Sequence, residues 1–141
     1  PYPTLFPYTT LFRSHLPTRP KSGQFAYDEC LSNNVPATQR FYQSVFGWSV
    51  IETSMDGLGT YTTFRVDEQD TAGCQAMPPE ADGNPVWLSY LYAEDIDDRV
   101  AKAESLGAQL FVEPQNVPGV GRFAVLADSS NALFALFRRG V

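Results

Sequence analysis

Histidine is almost missing from this chain. His15 is the single one in 141 residues, and it stands ahead of every patterned segment. In the patterned part, a divalent metal is left without imidazole, with carboxylates and two cysteines as the remaining usual ligands. Cysteine is scarce too. Cys30 and Cys74 make no disulfide framework and read as small buried residues, with pairing between them left open. No apolar run approaches the roughly 20 residues that span a bilayer, so a membrane partner is excluded. Positive charge is short, with 10 Lys and Arg against 16 Asp and Glu. Nucleic acid wants a basic face, so that partner class is excluded as well. The acidity reads as solubility. With 43% hydrophobic residues and a mean hydropathy of -0.22, the chain reads as one soluble cytoplasmic domain.

Residues 1–22, PYPTLFPYTTLFRSHLPTRPKS, are proline-rich, free of acidic residues and without sustained periodicity. Leu5 to Ser14, LFPYTTLFRS, resembles the in-frame translation of a short-read sequencing adapter, as in a reading frame assembled from metagenomic DNA. Residues 1–22 are therefore set aside as non-native or disordered, with a signal peptide or a binding arm as alternatives. The domain is expected over 23–141.

Gln24 to Leu31 reads as a strand with Phe25, Tyr27, Glu29 and Leu31 on one face. Asn33 or Asn34 and Pro36 open a helix that runs to Phe46, and Gly47 stops it. Its expected apolar face is Phe41 and Val45, with Tyr42 and Phe46 beside them. A strand from Trp48 to Thr53 follows, then two more near 60–66 and 72–77, separated by a turn from Asp67 to Asp70. Module one is thus 23–77. A Pro/Gly-rich linker covers 78–85, PPEADGNP. Module two, 86–139, repeats the order. Val86 to Tyr92 is a strand, Asp95 caps a helix carrying Ile96, Val100, Ala103 and Leu106, and Gly107 ends it. Gln109 to Val112 is the next strand and Pro114 to Gly119 a loop. The last hairpin turns at Asp128-Ser129-Ser130-Asn131. Val35 matches Ile96, Gly47 matches Gly107, Gly59 matches Gly121 and Tyr61 matches Phe123, at offsets of 60 to 62 residues. The chain reads as two β-α-β-β-β modules, each too short to bury its own sheet face.

Three segments carry a family resemblance: RFYQSVFGW (Arg40 to Trp48), EDIDDRVAKAESLGA (Glu94 to Ala108) and PGVGRFAVLADSSNALFALF from Pro118. Together, in this order, they resemble the vicinal oxygen chelate superfamily of glyoxalase I, bleomycin-resistance proteins and extradiol dioxygenases. The likeness is greatest to glyoxalase-like relatives of lactoylglutathione lyase. The resemblance implies an α+β fold, a curved eight-stranded half-barrel around a central cleft, and a homodimer.

It also implies where a divalent metal would sit in the catalytic members. The first ligand position, on the opening strand, falls on Tyr27. Its counterpart, nine residues before Asp95, falls on Val86. The position seven residues after Asp128 falls on Ala135, and its counterpart falls on Cys74 or, one residue on, Gln75. Val and Ala ligate nothing, so the expectation is no metal and no cofactor. Glu29 remains as an inward carboxylate. It is either a general base with a raised pKa, acting with Tyr27, or a structural acid bonded to backbone, Arg65 or Arg122. Tyr27, Tyr61, Tyr90 and Phe123 are either stacking groups for a flat ligand or core aromatics. Leu88 and Tyr90 point inward by parity with Val86. Cys74 has no histidine to activate it as a nucleophile. Pro118 to Gly121 reads as a hairpin entry, since no helix follows it.

The reading that follows is a metal-free protein binding a small apolar or aromatic molecule. A metal-independent lyase or isomerase using Glu29 is the alternative, and a metal-dependent glyoxalase-type enzyme the third. The sequence offers nothing specific for a purely structural role.

Overall fold

The computed structural model describes residues 20–55, 59–78, 81, 83–117 and 121–140. The expected adapter-like stretch up to residue 19 and most of the expected hairpin entry at 118–120 lie outside these residues. The described chain runs β1 (Phe25–Ser32), α1 (Val35–Phe46), β2 (Ser49–Met55), β3 (Gly59–Val66) and β4 (Gln69–Ala76). It continues as β5 (Val86–Tyr92), α2 (Ile96–Ser105), β6 (Gln109–Val117), β7 (Gly121–Ala127) and β8 (Leu133–Arg139).

The eight strands form one sheet in the order β2-β3-β4-β1-β5-β8-β7-β6. Within each module the first strand lies parallel to the last, β1 to β4 and β5 to β8. The modules join along the antiparallel pair β1–β5, where Glu29 lies opposite Leu88 and Tyr27 opposite Tyr90. Both modules of one chain thus share one sheet. One sheet face carries the cluster of Tyr61, Leu88, Tyr90, Phe123, Ala135 and Phe137. The other face is covered in two patches. Ile96 and Val100 of α2 pack on Ala124, Leu126 and Leu136. Val35 and Tyr42 of α1 pack on Cys30, Phe64 and Cys74.

Local chemistry explains the element ends. Asn34 caps α1 by accepting the Ala37 N–H at 3.1 Å, and Gly47 closes it in the left-handed conformation at φ 69°. Asp128 Oδ1 accepts the N–H groups of Ser130 and Ala132, which holds the β7–β8 turn.

Several expected details change. Asp95 precedes α2 but makes no side-chain cap, because its carboxylate holds Arg99 at 3.1 Å. The expected α1 face is open: Phe41, Val45 and Phe46 are 59%, 53% and 61% exposed. Of that face only Tyr42 packs on the sheet, joined there by Val35. Leu106 is likewise exposed. The β3–β4 turn shrinks to Asp67-Glu68, with Asp67 at φ 52°, so Gln69 and Asp70 join β4. Strand β6 runs on through Pro114, where a loop was expected. It can do so as a sheet-edge strand whose register shifts between Val112 and Gln115, since an edge needs no N–H from proline. A register shift between Phe25 and Tyr27 takes Phe25 out of line with Tyr27 and Glu29, and Phe25 is exposed.

Candidate functional site

Strand period two places Tyr27, Glu29 and Leu31 of β1 on the concave face and Cys30 on the helix face. Glu29 is fully buried, near the middle of the sheet. Three neutral groups from three other strands donate to it. Tyr61 Oη of β3 donates to Oε2 at 3.0 Å. Gln75 Nε2 of β4 and Tyr90 Oη of β5 donate to Oε1 at 3.0 and 3.2 Å. Tyr27 Oη lies 2.9 Å from Tyr61 Oη. Arg65 and Arg122, the cations offered to Glu29 by the sequence, are engaged elsewhere. Arg65 pairs with Asp70 at 2.8 Å, and Arg122 Nη2 pairs with Asp97 at 2.6 Å.

This environment penalises charge. Burial pushes the Glu29 carboxyl up to about 8, although the hydrogen bonds from Tyr61, Gln75 and Tyr90 pull the other way. Burial also raises Tyr27 well above the usual phenol value, and the neighbouring Glu29 adds to it. Near neutral pH the carboxyl can hold a proton, and a modest change in its surroundings lets it release one.

Glu29 borders a cavity of about 480 Å³. Leu31, Val86, Leu88 and Tyr90 line it from the central strands, and Val125 and Leu133 from module two. The wall is predominantly apolar, the usual character of a small-molecule site.

The positions expected in the cleft divide. Tyr27, Glu29, Tyr61, Gln75 and Tyr90 form one hydrogen-bonded group. Val86 and Leu88 are cavity wall. Phe123 and Ala135 are buried in the apolar cluster beside them. Cys74 does not join the cleft. It lies opposite Cys30 in the parallel β1–β4 register and packs with Phe64 and Ala72 under α1. Its hydrogen bond with Cys30 and its burial push its thiol up, so it makes a poor nucleophile. The alternation of a strand allows only one of two adjacent residues inward, and here it is Gln75.

Two features escaped the sequence reading. Gly73 lies opposite Glu29, and a Cβ added there would overlap Tyr61 Oη and Tyr27 Oη. A glycine inside a strand signals such a close approach. Phe111, Val112 and Val125 complete the cavity from module two, beside Leu133, which the parity of the last strand with Ala135 and Phe137 already turned toward the cleft. The alternation of Phe123, Val125 and Ala127 along β7 carried that signal for Val125. Among the described residues, no three His, Cys, Asp or Glu side chains gather into a metal-holding group.

Comparison with known proteins places this geometry. The chain is 34% identical over 137 residues to the anthracycline biosynthesis protein DnrV of Streptomyces peucetius, covering 88% of this chain and 50% of the relative. It is 30% identical over 119 residues to the putative glyoxylase CFP32 of Mycobacterium tuberculosis, covering 84% and 45%. It therefore spans about half the length of the curated relatives it matches. Among solved structures, methylmalonyl-CoA epimerase from Mycobacterium tuberculosis superposes with a TM-score of 0.56 at 15% identity, covering 90% of this chain and 95% of that one. The hypothetical protein BH1468 from Bacillus halodurans C-125 does so with 0.56 at 12% identity, covering 86% and 97%. These structural likenesses speak for the fold alone. The family model described as Glyoxalase/Bleomycin resistance protein/Dioxygenase superfamily matches residues 29–136, from the buried Glu29 of β1 to Leu136 of β8, and the chain belongs to that superfamily.

Proposed function

We propose that this chain is a binding module that holds a small, largely apolar or aromatic molecule in the cleft without a metal ion. The observation that carries this reading is the cavity of about 480 Å³, apolar on nearly every side, with one carboxyl at its border. Donor chemistry supports the metal-free part. A phenol, an isopropyl group, a carboxamide and a methyl group stand at Tyr27, Val86, Gln75 and Ala135. That set does not fit a divalent ion, which wants imidazole, thiolate or carboxylate. The name of the Streptomyces peucetius relative also favours a fused-ring aromatic ligand. A calorimetric screen over aromatic natural products tests the proposal, with elemental analysis of the purified protein beside it. Binding with under a tenth of an equivalent of metal is expected. Stoichiometric zinc, nickel, manganese or iron would overturn the metal-free reading, and no saturable ligand anywhere in the screen would overturn the binding one.

The burial of Glu29 among neutral donors favours one second reading, a metal-independent lyase or isomerase in which Glu29 moves a proton of the bound ligand. Once a substrate is found, an unchanged rate for Glu29→Gln would remove that role. The homodimer expected from the resemblance is carried as part of the proposal. The open apolar face of Phe41, Val45 and Phe46 supports it, and sedimentation of the purified chain tests it.

A further inference from the structure

The acid–base reading of Glu29 leaves a question of supply. Glu29 has no exposed surface, and Tyr61, which donates to it, is 1% exposed. A sealed carboxyl exchanges protons only through groups that can both give and receive one. Hydroxyls do this; the nitrogen of a carboxamide donates a hydrogen bond but has no free lone pair to take up a proton in turn. Of the three donors to Glu29, Gln75 is therefore a dead end. Tyr61 is not, because its oxygen lies 2.9 Å from Tyr27 Oη and either hydroxyl can be the donor. Tyr27 is only half-buried, so the chain Glu29–Tyr61–Tyr27 runs from a sealed carboxyl through a sealed phenol to the least buried residue of the three. Gly73 has no Cβ where the two phenol oxygens meet, and any side chain there would part them.

We propose that Tyr61 and Tyr27 form a proton relay that connects Glu29 to solvent by a route other than the cavity, with Gly73 as the residue that lets the two hydroxyls meet. Inward, Glu29 takes the proton of Tyr61, Tyr61 takes that of Tyr27, and Tyr27 takes one from water. Both phenols end neutral, and one proton has entered. Outward transfer is the reverse, with solvent base receiving the proton. The relay rests on the acid–base reading and adds to it. It lets Glu29 be reset while a ligand fills the cavity. The other groups acting on the chain are Asp28 and Asp70, near Tyr27, and Cys30, near Glu29.

The test uses ligand-free protein, so it does not depend on the binding proposal. A rapid pH jump from above to below about 8 protonates Glu29, and the carboxyl stretch in the infrared reports it. The band is assigned by its loss in Glu29→Gln. Tyr61→Phe and Tyr90→Phe each remove one hydrogen bond to Glu29, but only the first breaks the relay. Tyr27→Phe breaks it without touching Glu29. The expected result is a slowing of about tenfold or more for Tyr61→Phe and Tyr27→Phe, with Tyr90→Phe within about twofold of the parent. Equal slowing in all three variants would overturn the relay. So would no slowing in Tyr27→Phe, or slowing in Tyr90→Phe alone, which would route the proton through the cavity. Tyr27→Phe alters a half-buried position and keeps the test open should Tyr61→Phe fail to fold.

Discussion

On the strands of module one, Glu29 lies opposite Gly73; on those of module two, Tyr90 lies opposite Ala135. One strand over, Tyr61 of β3 corresponds to Phe123 of β7 in the repeat, and Gln75 of β4 to Phe137 of β8. The backbone is duplicated and the chemistry is not. Module one turns a carboxyl, a carboxamide and two phenols toward the cleft. Module two answers with two phenylalanines, an alanine and one tyrosine, and that tyrosine reaches back across the β1–β5 seam to Glu29. The difference teaches how one frame is divided between tasks. One half carries the titrating group and the other supplies the apolar wall that raises its pKa.

The largest expected effect comes from removing that group. The Glu29 carboxyl stands at about 8 in the folded chain, against an ordinary value of 4.5. Between those values the folded state keeps a proton that the unfolded state has lost. Stability therefore falls as pH rises through this window, is highest below it and levels off above about 8. The loss across the window is on the order of 5 kcal/mol. Glu29→Gln removes the titration, so urea unfolding of parent and variant at stepped pH should diverge, with the variant more stable above about 8. Parallel pH profiles would mean that Glu29 titrates normally.

Next comes the exchange of the paired small residues. Gly73→Ala drives a methyl group into Tyr61 and Tyr27 and should cost about 1–3 kcal/mol, the range for overpacking. Ala135→Gly, its mirror in module two, meets no such overlap and should cost about 1 kcal/mol, from backbone freedom in the unfolded chain. The ratio of the two costs, read from thermal unfolding, measures how far the halves have diverged. Equal costs would erase the contrast.

The phenol swap is smaller. Tyr61→Phe removes one of three donors to Glu29 and should cost about 1 kcal/mol. Because that hydrogen bond lowers the carboxyl, its loss should raise the Glu29 titration further, which NMR of the carboxyl carbon would show. Tyr90→Phe should raise it too, by less, since its bond is longer and ranks below that of Tyr61 among the influences on Glu29. A fall in either variant would contradict the assigned donors.

The sequence made the frame legible for physical reasons. Strand alternation has period two, so once Glu29 faced inward, Tyr27 and Leu31 followed, and Leu88 and Tyr90 followed from Val86. What joins Glu29 to its donors was not legible. They lie 32, 46 and 61 residues away along the chain, and only the strand order brings them together. Counting from a motif to the fourth ligand position left Cys74 and Gln75 one residue apart, and one residue is the difference between the two faces of a strand. On α1 the periodicity showed an apolar stripe but not what covers it, and of that stripe the sheet covers only Tyr42.

The two helices extend the comparison to the convex side and carry the smallest expected effect. α2 buries Ile96 and Val100 against β7 and β8, whereas α1 buries no residue completely. Phe46 at 61% exposure has little to lose within its own chain. Phe46→Ser should therefore change the stability of a dilute monomer by no more than about 0.5 kcal/mol. Val100→Ala, on the other helix, should cost about 1–2 kcal/mol by opening a buried space. The asymmetry also separates two accounts of why α1 leaves aromatic residues in water. If a second copy covers that face, the cost of Phe46→Ser grows with protein concentration, because association stabilises only the folded chain. If the face stays open, the cost is the same at every concentration. Unfolding curves at two concentrations a hundredfold apart tell the accounts apart, and a concentration-independent cost would remove α1 from any dimer interface.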